Sequence, residues 1–394
     1  MQGRFSRFNY VTFAAMLALV AVGTVAIWSA GNARAENVFH GMWKSNLAAA
    51  GFGLAIYALL AFTDYRRTLS VLAAPAYVAA VAMLAAVLAF GSTVYGGRRW
   101  LWFFQPSEVS KICVIALLAH VLGRGGKGWT GRGFKGFLLA VAMVGVPCAL
   151  ILAEPDLGTV LALVPAVFAM LAAARVWRGG MLALALAVSA AAFAVLGAVH
   201  EAVKPGVDPE RRERILRCVP LRDHQIRRVK AFLFPDDDIS AGGYTLRQAK
   251  ISIGSGGLSG KGIGKGESNH LKYLPQAISM NDFIFCVYAE ETGFAGSVVL
   301  LSLFGALLLP CCWIAYVSRD ARGRLLAIGV STLLFAHVYI NIAMSVGLVP
   351  ITGLPLPFIS SGRTFLVAVM AGLGLVQSVS IHREEKKNES VRLV

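Results

Sequence analysis

Ten stretches of this chain are almost uninterrupted in apolar residues: 10–31, 44–63, 69–90, 105–122, 136–153, 157–174, 181–199, 282–317, 324–345 and 362–381. A helix advances about 1.5 Å per residue, so roughly 20 residues cross about 30 Å of hydrocarbon. Each stretch therefore predicts a membrane-spanning helix. The pattern breaks between the seventh and eighth stretches, where residues 199–281 form a polar connection of 83 residues. Connections of that length without a role are uncommon. Inside it, Ile226, Val229, Phe232 and Leu233 recur at helical spacing among charged neighbours over residues 222–234. That spacing predicts an amphipathic helix on the membrane surface, ended by Pro235. The expected architecture is an all-α polytopic membrane protein, a single membrane domain over residues 1–394 with about ten transmembrane helices. Its large extracytoplasmic loop, residues 199–281, is expected to contain amphipathic helical segments.

Composition narrows the class. With 57% hydrophobic and 15% charged residues and a mean hydropathy of +0.67, an ordinary soluble domain is excluded. Alternate short connections, counted from the N-terminus and including both tails, hold 17 Lys and Arg, whereas the opposite ones hold 5. By the positive-inside rule both termini are then cytoplasmic and the long loop faces outward. The net charge of +16 is mostly this topological signal, so nucleic acid is not an expected partner. Ala33-Arg34-Ala35 imitates a signal-peptidase site, but the apolar stretch before it is too long for an h-region and reads as a retained helix. Of six cysteines only Cys218 lies in the long loop, and the spacing describes neither a disulfide framework nor a metal site.

Candidate chemistry collects where polar residues meet the spans. Asp282 ends the basic loop and opens the run Phe283-Ile284-Phe285. A carboxylate at that boundary is partly desolvated and so more basic, and it can meet a water-soluble headgroup while a lipid tail stays in the bilayer. A helix-capping Asp is the simpler reading of the same position. Glu108 and Lys111, at i and i+3 in the fourth span, can pair on one helical face and be tolerated there together. Glu154-Pro155-Asp156-Leu157-Gly158-Thr159 sets two carboxylates on the outer side between the fifth and sixth spans. Glu290, Glu291, His337 and Asn341 add polarity to the eighth and ninth spans, and a membrane histidine such as His120 or His337 more often bonds between helices than catalyses. The long loop carries 14 Lys and Arg against 9 Asp and Glu, which makes it either a solvated basic surface or an attractor of anionic headgroups. Its segment Ile253 to Gly266 holds seven glycines with Lys261 and Lys265, suited equally to a phosphate-binding backbone nest and to a flexible loop. It is not a Walker A motif, because Gly262 stands where Ser or Thr would bind magnesium.

Read in order, the motifs resemble one family. They are Arg98-Arg99-Trp100, Gln105-Pro106-Ser107-Glu108-Val109-Ser110-Lys111, Pro155-Asp156-Leu157-Gly158-Thr159, Gly243-Tyr244 with the glycine run, Asp282-Phe283-Ile284-Phe285 with Glu290-Glu291-Thr292-Gly293, and Asn341-Ile342 through Pro350-Ile351-Thr352-Gly353-Leu354-Pro355-Leu356-Pro357-Phe358. This order resembles the SEDS proteins over essentially the whole chain, and Ser255 to Gly262 is more similar to the elongation branch, RodA, than to the division branch, FtsW. Two segments depart from the family pattern. Met280-Asn281 stands where His-Thr usually precedes the Asp, and Ser360-Ser361-Gly362-Arg363 replaces the usual Ser-Tyr-Gly-Gly.

The resemblance implies a peptidoglycan glycosyltransferase that polymerises lipid II outside the cytoplasmic (inner) membrane during cell elongation, with inversion and undecaprenyl pyrophosphate leaving. It implies a class B penicillin-binding protein transpeptidase as partner, within the elongation machinery. Carried over by motif, Asp282 is the catalytic residue, Glu108 and Lys111 line the central cavity, and Asp156 is a further functional carboxylate. Inverting transfer needs a base for the acceptor hydroxyl and positive charge for the leaving diphosphate. Arg98, Arg99, Lys111, Lys261 and Lys265 are candidates for that charge, with Arg favoured for bidentate contact. No cofactor is required; a divalent cation, Mg or Mn, could bridge the diphosphate, though no ligand cluster demands one. A lipid II flippase and a non-catalytic transpeptidase scaffold are the alternatives. A flippase needs polar residues through the membrane depth, whereas most carboxylates here gather near the outer side.

Overall fold

The computed structural model describes residues 7–32, 41–94, 97–102, 104–124, 133–204, 207–219, 221–234, 241–267 and 279–383. All ten apolar stretches are helices: α1 (Tyr10–Asn32), α2 (Met42–Phe62), α3 (Tyr65–Phe90), α4 (Pro106–Leu122), α5 (Phe134–Ala153), α6 (Leu157–Ala173), α7 (Arg178–Val203), α11 (Ile284–Val317), α12 (Ala321–Val346) and α13 (Arg363–His382). Eight are long and apolar enough to cross a membrane; the other two, α4 and α6, have 17 residues each. The chain is a multi-pass membrane protein. Asp64, Asp156 and Asp320 cap α3, α6 and α12 by accepting from Arg66, Thr159 and Gly323 backbone N–H groups, which satisfies donors that a helix start leaves open.

Packing divides the helices by depth. α12 and α13 are the most buried of the eight long spans and α7 the least. α13 lies along α2, where Gly53 meets the Met370 side chain and Gly374 meets the Tyr57 backbone. Association inside a membrane draws little from hydrophobicity, so small residues that let backbones approach matter more. The 34 residues of α11 exceed what a span requires, and the helix breaks at Gly293, whose φ of 68° is left-handed. Residues 294–317 suffice to cross, and the turns before the break carry Glu290 and Glu291.

The long loop is helical in part. The amphipathic helix expected over 222–234 is α9 (Asp223–Leu233), with Val229 packed on Val199 at the end of α7. Two further helices, α8 (Pro209–Arg217) and α10 (Ala241–Ser255), join it among the helical segments expected in the loop, at positions the pattern did not specify, and the start of the glycine run belongs to the last turn of α10. A hairpin of β1 (Ser92–Val94) and β2 (Gly97–Trp100), antiparallel with Ser92 opposite Trp100, replaces the plain connection expected between the third and fourth spans.

Candidate active site

Asp282 lies half-buried in the turn that precedes α11. Its carboxylate has no hydrogen bond or ion pair among the described residues. Burial raises it from the usual carboxylate range to about 6, against the opposing pull of the Arg228 and Arg99 guanidiniums and with a smaller push from Asp156. Gly353, at φ 77°, stands between carboxylate and guanidinium: a Cβ there would lie 3.2 Å from Arg228 Nη1 and 3.3 Å from Asp282 Oδ2. The guanidinium and the carboxylate are thus no further apart than those two distances together, yet form no ion pair.

α9 supplies Arg228 and is itself pinned over the site. Arg228 Nη1 donates to Thr352 O at 3.0 Å, Gln225 Nε2 to Pro155 O at 3.3 Å and Arg222 Nη2 to Ala153 O at 3.4 Å. Steps of three place these side chains on one face of α9. That polar stripe is readable in the sequence at the same helical spacing as the apolar one, Ile226, Val229 and Leu233.

The other flank is the connection between α5 and α6. Arg99 donates to Glu154 O at 3.4 Å and also to Pro155 O, and its Nη1 stands 3.9 Å from Asp156 Oδ1. Asp156 is occupied at the start of α6, accepting from Thr159 N at 3.2 Å, from Thr159 Oγ1 at 2.9 Å and from Gln105 Nε2 at 3.4 Å. Glu154 is fully buried with neither carboxyl oxygen bonded. Burial, and then Asp156, push it up to about 8, with Arg99 opposing. The side chain of Arg98 lies outside the described residues.

Deeper in the bundle, Lys111 Nζ lies 2.7 Å from Glu108 Oε2 and 2.9 Å from His337 Nε2, and stands 5.0 Å above the Phe365 ring. The pairing expected from i, i+3 spacing is present, and His337 bonds between helices. The Lys111 ammonium is fully buried and is held by Glu108, His337 and the Phe365 ring. His337 reaches on through Nδ1 to Pro355 O at 3.4 Å. Asn341 Nδ2 donates to both Leu354 O at 2.7 Å and Asp282 O at 2.8 Å. One loop, residues 350–361, thus touches both the buried charge pair and the segment bearing Asp282.

The glycine run is neither a nest nor a free loop. Lys261 N and Gly262 N donate to Glu290 O and Glu291 O at 3.0 and 2.9 Å, while Phe294 N and Ala295 N donate back to Gly257 O and Leu258 O at 2.8 and 3.0 Å. These bonds cross the break in α11, where the helix lacks its own. Lys261 Nζ is held by Glu290 at 2.8 Å and Glu267 at 3.3 Å, and Ser29 of α1 donates to Glu291. The backbone donors and the lysine expected to meet a diphosphate are therefore consumed within the protein, because the broken helix needs them. Lys265 is exposed.

Relatives agree with the whole-chain character of the motifs. The profile of the cell cycle protein family FTSW_RODA_SPOVE matches residues 9–385. The chain is 33% identical to the peptidoglycan glycosyltransferase MrdB of Escherichia coli K12, over 94% of this chain and 92% of that one. It is 29% identical to the probable peptidoglycan glycosyltransferase FtsW of a Geobacter species, over 96% and 98%. Among solved structures it is similar to a chain of a peptidoglycan synthase complex that coordinates polymerization and crosslinking, with TM-score 0.71, 28% identity and coverage of 96% and 99%. It is also similar to the rod shape determining protein RodA of Thermus thermophilus, with TM-score 0.63, 27% identity and coverage of 96% and 98%. From residue 9 to residue 385, then, this chain belongs to the FtsW, RodA and SpoVE family.

Proposed function

We propose that this protein is a peptidoglycan glycosyltransferase that polymerises lipid II on the extracytoplasmic side of the inner membrane, and that Asp282 is its base. One observation carries the reading: a half-buried carboxylate without a bonded partner, shifted to about 6, faces two guanidiniums at one end of a membrane bundle. At neutral pH it is ionised and basic enough to take a proton from the acceptor sugar hydroxyl. The freed oxygen attacks the anomeric carbon of the donor glycan, the bond from that carbon to the undecaprenyl pyrophosphate breaks, and the electron pair leaves on the diphosphate. Arg228 and Arg99 bear fixed positive charge on the same side and stabilise that departing anion. A divalent cation, Mg or Mn, would supply further positive charge for the leaving diphosphate; the described residues include no group of three or more His, Cys, Asp or Glu placed to hold one.

The bias of basic residues supports cytoplasmic termini and an outward-facing site. The resemblance to a synthase complex supports a class B transpeptidase as partner. Purified protein should polymerise labelled lipid II, more so with its transpeptidase, and the Asp282→Asn protein should bind lipid II but not extend it. Full glycan synthesis by Asp282→Asn would return the assignment to Asp156 and Glu154. Transport of lipid II across proteoliposomes without polymerisation would favour the flippase.

A further inference from the structure

The Asp282 carboxylate has no side-chain partner, so its aim must come from the backbone beneath it. Three consecutive carbonyls there are all accepted into bonds from elsewhere. Met280 O receives Ser361 N at 3.1 Å, Asn281 O receives Ser360 Oγ at 2.6 Å, and Asp282 O receives Asn341 Nδ2 at 2.8 Å. Ser360 Oγ in turn accepts from Leu356 N at 2.8 Å, and Ser361 Oγ donates to the Asn281 side-chain oxygen. Both serines are buried, where water competes little and a hydrogen bond holds its geometry. Asn281 and Ser361, which both stand where the family pattern has another residue, are thus bonded to each other through their side chains.

We infer that Ser360, Ser361 and Asn281 are positioning residues for Asp282, forming a clasp between the turn before α11 and the turn before α13. The inference rests on Asp282 as base. Proton transfer tolerates little displacement, and an ångström of misplacement costs about a hundredfold in rate. A base with no bond of its own depends wholly on such a clasp. Ser361 is the informative position, because removing its hydroxyl leaves the three backbone bonds in place. Ser360→Ala also strips Leu356 N of its acceptor in a buried setting and is expected to lower folding yield.

The experiment is steady-state polymerisation of labelled lipid II by purified Ser361→Ala, Asn281→Ala and the double variant, each alone and combined with Asp282→Asn. For Ser361→Ala, kcat should fall about tenfold to a hundredfold with KM for lipid II and melting temperature near wild type. The double variant should lose little beyond Asn281→Ala, since both break one contact. In the Asp282→Asn background Ser361→Ala should cost nothing further, because nothing remains to aim. Wild-type kcat in Ser361→Ala overturns the clasp while leaving Asp282 intact as base. A full loss on top of Asp282→Asn also overturns it, as the serine would then act elsewhere. A fully active Asp282→Asn protein is a different outcome, the failure of the base assignment itself.

Discussion

Asp282 acquires its basicity from burial and its usefulness from having no partner, and both have measurable consequences. Its carboxyl is raised to about 6, so the base is protonated and idle below that pH. Activity should therefore climb as pH rises through about 6, and a pH profile of kcat on lipid II checks this; a profile flat from pH 5 to 8 would exclude Asp282. Asp282→Asn should lower polymerisation by roughly two to four orders of magnitude, the usual share of general base catalysis. Asp282→Glu should recover little, because the longer side chain moves the carboxylate by about an ångström. Glu154 behaves oppositely. Its folded value of about 8 lies above the usual range, so the native state holds a proton that the unfolded chain releases near 4.5. That stabilisation is complete below about 4.5 and is lost as pH rises through about 8. Melting temperature should accordingly fall between those limits in wild type and fall less in Glu154→Gln. Equal pH dependence in the two proteins would place Glu154 in water.

Elements are held by pairings that single substitutions unbalance. Lys111→Ala leaves Glu108 buried without its cation, a situation that costs about 3 to 5 kcal/mol. Loss of folded yield is expected, and Glu108→Gln combined with Lys111→Met should restore much of it, because removing both charges removes the penalty. Detergent melting curves of the three proteins measure this. The clamp on α11 makes a different prediction. Lys261 bonds Glu290 across the break at Gly293, so Lys261→Ala should lower melting temperature and leave the KM for lipid II unchanged. A raised KM with unchanged melting would reinstate the diphosphate role expected from the glycine run. Glycines expose backbone donors to whatever is nearest, and here the acceptors of Lys261 N and Gly262 N are the carbonyls freed by a helix break.

For the whole molecule, the bias of Lys and Arg toward alternate connections predicts that the 199–281 loop and Asp282 face outward. Cys218, exposed at the end of α8, provides a native reporter: a membrane-impermeant maleimide added from outside should label it, and exclusive labelling from the cytoplasmic side would invert the topology and the site with it. The order and approximate limits of the ten apolar helices were legible in the chain, because a residue facing hydrocarbon must be apolar and a spanning helix must satisfy its own backbone; eight of the ten are long enough to qualify as spans. The i, i+3 pairing of Glu108 with Lys111 was legible for the same local reason, as were α9 and the position of Asp282 at its boundary. What lay beyond reach involves partners distant in the sequence. Arg228 meets Asp282 across 54 positions only because α9 folds back over Gly353. His337 reaches Lys111, Glu290 takes Lys261, and Ser361 meets Asn281 for the same kind of reason. Hydrophobicity and backbone satisfaction act on each segment by itself, so the sequence alone determined the spans. Which polar groups are spent on one another and which remain free for chemistry depends on where the spans stop beside each other, and that only the tertiary structure decided.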